Sequence, residues 1–294
     1  MRLDDYRTSD NVGDQRGQRF GGLGGGGGGF GLLLSLVGSR FGIVGILVVV
    51  VGAMLLGFNP FGGGGSGVMA PTQQGAGGSR TAAEACAVDP ASRFSCQVLA
   101  STEDSWNAIF SQSGERYTPA GLVFYGGRGQ SGCGAAEAAM GPFYCPTDQK
   151  IYLDTAFYSE LQNRFGAAGD FAQAYVIAHE VGHHIQDLTG TLGKASAAQA
   201  QLSAAKGNAV QVQVELQADC YAGVWAAHNR DRLEPGDVEE GMRAAEAIGD
   251  DTLQKATQGY AVPDSFTHGT SAQRMEALRT GLASGNPASC NAFS

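Results

Sequence analysis

His179 and His183 stand four residues apart with a carboxylate beside the first, in the order His179-Glu180-Val181-Gly182-His183. On a helix this spacing puts both imidazoles on one face, one turn apart, so both can reach a single ion while Glu180 enters the same cleft. That is the geometry of a zinc hydrolase, whose metal takes three protein ligands and keeps a fourth position for water. Two histidines leave it one ligand short. Standing alone, the same match also fits a surface helix with two solvated histidines, so the third ligand decides the reading.

Glu215-Leu216-Gln217-Ala218-Asp219 offers that ligand. Glu215 and Asp219 are again four apart. On a second helix packed across the first, Glu215 completes a shell of two histidines and one carboxylate. Asp219 then accepts the outward ring N–H of a ligating histidine and fixes its tautomer. The expected chemistry is hydrolysis of an amide: zinc lowers the pKa of its water and polarises the carbonyl, and Glu180 acts as general base, later passing the proton to the leaving amine.

The remaining histidines have other expected places. His184 follows a ligand by one residue and points about 100° away, toward packing or support of the site. His228 reads as a helix-end histidine. His268, in Phe266-Thr267-His268-Gly269-Thr270, sits on a loop before a helix, where it can donate to a developing oxyanion or serve structure. Arg274 has the same two readings, an oxyanion or carboxylate group or a structural salt bridge.

These residues must be carried by a folded region, and composition limits where it lies. The chain has 294 residues, 43% hydrophobic and 16% charged, with 46 glycines, six cysteines and a net charge of −9. That charge excludes an electrostatic footprint for nucleic acid. Residues 1–29, ending in the run Gly24 to Gly29, read as a flexible tail with little to bury. Phe41 to Phe58 is apolar throughout and meets the lower limit for a membrane span, and the preceding Gly31 to Val37 can extend it, giving an anchor over 30–58. A cleaved signal peptide is the rival reading, disfavoured by the long polar lead. Arg2, Arg7, Arg16, Arg19 and Arg40 all precede the span, which predicts a cytoplasmic N-terminus and a catalytic domain outside the cytoplasm. All six cysteines lie beyond the span, as an oxidising compartment would require, with Cys86 to Cys96 and Cys133 to Cys145 as the local pairings.

Residues 59–80 read as a glycine-rich tether and 81–294 as one domain. Its predicted elements are mostly helical. Asp89 and Pro90 start a helix that runs to Gly114, Leu122 to Tyr125 is a strand, and Gly126 to Gly134 is a glycine loop. Gly141 to Asp154 reads as a hairpin whose edge could hold an extended peptide over the metal. A short helix over Phe157 to Phe165 follows, and Asp170 is expected to cap the helix that bears His179. Val210, Val212, Val214 and Leu216 alternate like a strand, but the alanines that follow favour a helix from Ala209 to His228 capped by Asn208. Pro235 begins another helix to Ile248, and Thr270 with Gln273 forms a capping box for a last one.

The motifs together resemble the bacterial neutral zinc metallopeptidases of the YpfJ type. The matching stretches are Arg7 to Val12, the single span, Gly141 to Pro146, Ala178 to His184, Glu215 to Cys220 and His268 to Arg274. The resemblance covers nearly the whole chain. It implies an α+β fold, mainly helical and zincin-like with a small β-hairpin or sheet, preceded by one transmembrane helix. It also implies a gluzincin-like site with Zn2+ as cofactor and a peptide or protein as substrate. Two other functions fit the same residues: a zinc-stabilised interaction module of the cell envelope, and a cell-wall amidase. Glu180 argues against the first, because a purely structural zinc site needs no base.

Overall fold

The computed structural model describes residues 1–18 and 80–293. In chain order the elements are β1 (Val12–Asp14), α1 (Ala82–Cys86), α2 (Pro90–Gln112), β2 (Gly121–Phe124), β3 (Arg128–Ser131), β4 (Gly134–Glu137), β5 (Phe143–Cys145) and β6 (Lys150–Leu153). There follow α3 (Ala156–Asn163), α4 (Asp170–Leu188), α5 (Thr191–Gln199), α6 (Ala204–His228), α7 (Asp237–Ala247), α8 (Asp250–Gln258) and α9 (Ser271–Ser284). This is the expected mainly helical α+β architecture with small sheets. The apolar run Phe41 to Phe58 lies outside the described residues, and among the described residues no helix is long and apolar enough to cross a membrane.

Helix starts follow local chemistry. Asp89 accepts from the Ser92 N–H with Pro90 in the first turn of α2, and capping boxes at Thr81/Glu84 and Thr270/Gln273 open α1 and α9. Three expected boundaries move. Gly169, at φ 119°, precedes α4, and Asp170 accepts a hydrogen bond from the Met1 ammonium instead of capping. α6 starts after Ser203, while Asn208 donates to the Asp264 carbonyl. α7 starts at Asp237, after Gly236 at φ 102°. The alternating valines form no strand. Every residue of α6 from Val214 to Ala226 is buried, so its apolar residues surround the helix and leave no one-sided period to read.

The main sheet has the order β1-β2-β6-β5, parallel between β1, β2 and β6, with β5 antiparallel at one edge. β5 and β6 form the expected hairpin. The expected glycine loop instead contains an antiparallel pair, β3 with β4, whose Gly and Ala residues carry no strand signal. Three disulfides tie the fold: Cys86–Cys96, Cys133–Cys145 and Cys220–Cys290. The first two are the local pairings expected from spacing, and the third fastens α6 to the C-terminal turn.

For residues 1–18 the expectation of a flexible tail is corrected, because they pack into the domain. β1 pairs with β2 from Val12↔Leu122 to Asp14↔Phe124, and Leu3 is 1% exposed. Glu103 accepts from Ser9, Asn11 and Arg7, and Asp14 is held by Arg16 and Arg80. Composition missed this arm because its partners come from distant sequence. Arg7 and Arg16, counted above toward a cytoplasmic N-terminus, are engaged in these ion pairs. Residues 1–18 and 80–293 form one folded body, so an N-terminus and a domain separated by one membrane crossing do not fit this fold.

Close helix packing sets the site. A Cβ at Gly182 would lie 2.8 Å from the Ala218 carbonyl oxygen, so glycine lets α6 approach α4. On the other side, Gly223 and Gly281 interlock α6 with α9, each meeting the opposing backbone at contact too close for a side chain.

Candidate metal centre

α4 presents His179 and His183 on the face turned toward α6, and α6 presents Glu215 and Asp219 back toward them. His179 Nε2 lies 3.2 Å and His183 Nε2 3.6 Å from Glu215 Oε2. Ligand atoms bound to one tetrahedral zinc at about 2.0–2.1 Å are separated by about 3.3 Å. The three residues are therefore already spaced for one ion, and their ligand atoms lie within 4.8 Å of one another.

The outer nitrogen of each ring is engaged. His179 Nδ1 is 2.8 Å from Asp219 Oδ1, which also accepts from Tyr175 Oη and Arg274 Nη2. His183 Nδ1 is 2.9 Å from Gln186 Oε1. Gln186 Nε2 donates to the Val214 carbonyl at 2.7 Å and to Gln217 Oε1 at 2.9 Å. Both amide hydrogens are thus used, the Gln186 oxygen must face the ring, and His183 carries its proton on Nδ1. With Nδ1 engaged in both histidines, Nε2 is the nitrogen that faces Glu215 and would ligate the metal.

Electrostatics favour a cation at this point. Burial pushes His179 down, but Asp219 and Glu215 override it and hold the imidazole at about 10. Burial pushes Asp219 up, yet Arg274 and His179 bring it to about 2. Glu215 is likewise held well below its ordinary value against burial, by His183 and His179. Glu180 behaves oppositely. Burial raises it, opposed by the two histidines and by the Tyr144 backbone on β5.

The late elements also converge. His268 lines the same cavity, of about 530 Å³, as His179, Glu180, His183, Glu215 and Arg274. Asp250, absent from the sequence reading, holds the His268 loop: its Oδ2 accepts the N–H groups of Thr267, His268 and Gly269, and its Oδ1 lies 3.3 Å from His268 Nδ1. Arg274 makes the salt bridge, with Nε and Nη2 on the two Asp219 oxygens at 2.8 and 2.9 Å. His184 and His228 stay outside the cluster. His184 Nε2 donates to the Thr118 carbonyl and His228 Nε2 to that of Gly285.

A family model described as "Putative neutral zinc metallopeptidase" matches residues 1–293. The chain belongs to this family. As expected for a zinc metallopeptidase of this kind, its cofactor is Zn2+. The chain is 44% identical over 300 residues to "Uncharacterized protein YpfJ" of Escherichia coli strain K12, covering 100% of this chain and 99% of that protein. It is 40% identical over 218 residues to an uncharacterized protein of Mycobacterium bovis, covering 69% of this chain and 72% of the relative. No solved structure matches it. Within this family member, Gln186, Tyr175 and Asp250 were the supporting residues that motif spacing did not find. Gln186 stands three residues after His183 and Tyr175 four before His179, both helical neighbour positions, which were the available signals.

Proposed function

We propose that the chain is a zinc-dependent endopeptidase, attached to a membrane through Phe41 to Phe58, with its disulfide-bonded domain outside the cytoplasm. The observation that carries the reading is the convergence of His179 Nε2, His183 Nε2 and Glu215 Oε2 beside buried Glu180. A carboxylate base has no use at a closed structural metal site. In this reading residues 1–18 share the domain's compartment, so Phe41 to Phe58 attaches the chain without putting its two flanks on opposite faces of the membrane, unlike the single crossing expected from the sequence.

His179, His183 and Glu215 hold the metal, and Asp219 and Gln186 keep both rings in the ligating tautomer. When bound, zinc supplies a Lewis acid and acidifies water toward neutrality. Glu180, raised by burial, accepts the proton of the attacking water and returns it to the nitrogen of the leaving amine. His268 lines the cavity and is pushed down by burial but more strongly up by Asp250 and Glu215, which favours the protonated ring that would donate to the oxyanion. β5 is the edge of its sheet, and Phe143 and Tyr144 line the cavity. An extended substrate can add to that edge and be held across the site.

The test is cleavage of casein and of cell-wall fragments by the purified full chain, with zinc and with a chelator. Casein cleavage that disappears in Glu180→Gln while bound zinc remains supports the proposal. Cleavage retained by Glu180→Gln overturns it, and hydrolysis of cell-wall fragments alone would move the activity to an amidase.

A further inference from the structure

The walls of the cavity bear on which peptide bonds such a site would accept. Val176 lies on α4 just before His179, and with Phe157 and Phe165 it forms an apolar wall on one side. Leu192 and Ala195 on α5 and Val214 on α6 add apolar surface elsewhere in the lining, interspersed with the neutral polar side chains of Ser196, Gln199 and Gln211. All of these residues line one cavity of about 530 Å³, large enough for substrate side chains next to the reacting centre.

The charges in the cavity are already committed. Among the described lining residues the ionisable groups, tyrosines apart, are Glu180, Glu215, His179, His183, His268 and Arg274. Arg274 is 2% exposed, with Nε and Nη2 on Asp219 and Nη1 on the Ile248 carbonyl. It has no face left to receive a substrate carboxylate. Glu215 is drawn to the two histidines, and Glu180 is the base of the proposed reaction, so neither is available to pair with a substrate ammonium. A terminal carboxylate brought here would meet only His268, whose Nδ1 already faces Asp250, and a terminal ammonium or a charged side chain beside the scissile bond would be buried without a free partner.

We propose that this cleft takes internal polypeptide segments with bulky apolar side chains next to the cleaved bond, and rejects chain termini and charged residues at those positions. The inference rests on the peptidase reading above and specifies its substrate class. Such segments are buried in folded proteins, so the substrates are unfolded chains or exposed apolar stretches.

A proteome-derived peptide library, digested by the zinc-loaded full chain and read by mass spectrometry, tests it. The expected result is internal cleavage beside Leu, Phe, Met, Ile, Val or Tyr, with charged neighbours disfavoured on the order of 100-fold. Stepwise trimming from either end, or enrichment of Lys, Arg, Asp or Glu at the bond, overturns the proposal and leaves the peptidase reading standing. Capture of apolar peptides by zinc-loaded Glu180→Gln, without cleavage by the unaltered chain, would support the binding preference and overturn hydrolysis. Neither capture nor cleavage sinks both. Leu192→Glu, on the half-buried rim, should raise acceptance of Lys or Arg at one position by at least about tenfold, and an unchanged profile would contradict the assignment of that part of the lining.

Discussion

His183 turns its Nδ1 onto Gln186 Oε1 at 2.9 Å, and Gln186 can present only its oxygen there because both amide hydrogens are taken by Val214 and Gln217. Gln186→Leu removes the acceptor that fixes the ring. Zinc affinity, measured by chelator competition, should fall about 10- to 100-fold. The buried Val214 carbonyl also loses its side-chain donor, for a loss of about 1–3 kcal/mol in stability. Unchanged zinc affinity would show that the ring is oriented by something else.

Asp250 binds three backbone N–H groups of the His268 loop and faces His268 Nδ1. In Asp250→Asn the loop loses its charged anchor, and the ring loses its alignment toward the oxyanion. The expected result is a kcat lower by about 10- to 100-fold with KM little changed and zinc content intact. A drop in stability alone, at full kcat, would assign Asp250 to structure only.

Acid should release the N-terminal strand before the helical core. Burial pushes the Asp14 carboxyl up, but hydrogen bonds from Arg16 and Arg80 more than reverse this and leave it below its ordinary value. A group with a depressed folded pKa contributes its full stability above its unfolded pKa, about 3.9, and loses it as pH falls through the folded value. The Leu122 N–H, bonded to the Asn11 carbonyl at 2.8 Å, should therefore lose hydrogen-exchange protection below about pH 4, after correction for intrinsic rates. Asp14→Asn should show the loss at neutral pH. Equal protection in both proteins across the range would contradict this.

Because residues 1–18 are part of the domain, both should lie on one side of the membrane. Every cysteine among the described residues is paired, so an added one reports alone. Asp10→Cys and Tyr260→Cys, at two exposed positions, should react alike with a membrane-impermeant thiol reagent on intact cells. Labelling of only one would show that the N-terminal arm and the domain separate in the cell.

The motif residues were legible because ligand chemistry imposes local spacing: His179 and His183 recur at one helical turn, as do Glu215 and Asp219. The capping box at Thr270, the hairpin at β5–β6 and the two short-range disulfides were equally local. What escaped the sequence depends on distant partners. Arg7, Ser9 and Asn11 look like a polar tail until Glu103 is placed beside them. The start of α6 was misplaced because its first turns, from Ala204, are largely exposed and carry no apolar period to read. Asp250 belongs to no motif in the sequence, and its role emerges only when the His268 loop folds over it.

The central claim is that two imidazoles and the carboxylate of Glu215 share one zinc. X-ray absorption at the zinc edge of the purified full chain tests it most directly. The account predicts one zinc per chain, two imidazoles, oxygen donors and no sulfur, with an oxygen donor lost or zinc released in Glu215→Ala. Sulfur in the zinc shell, or a spectrum and metal content unchanged in Glu215→Ala, would contradict it.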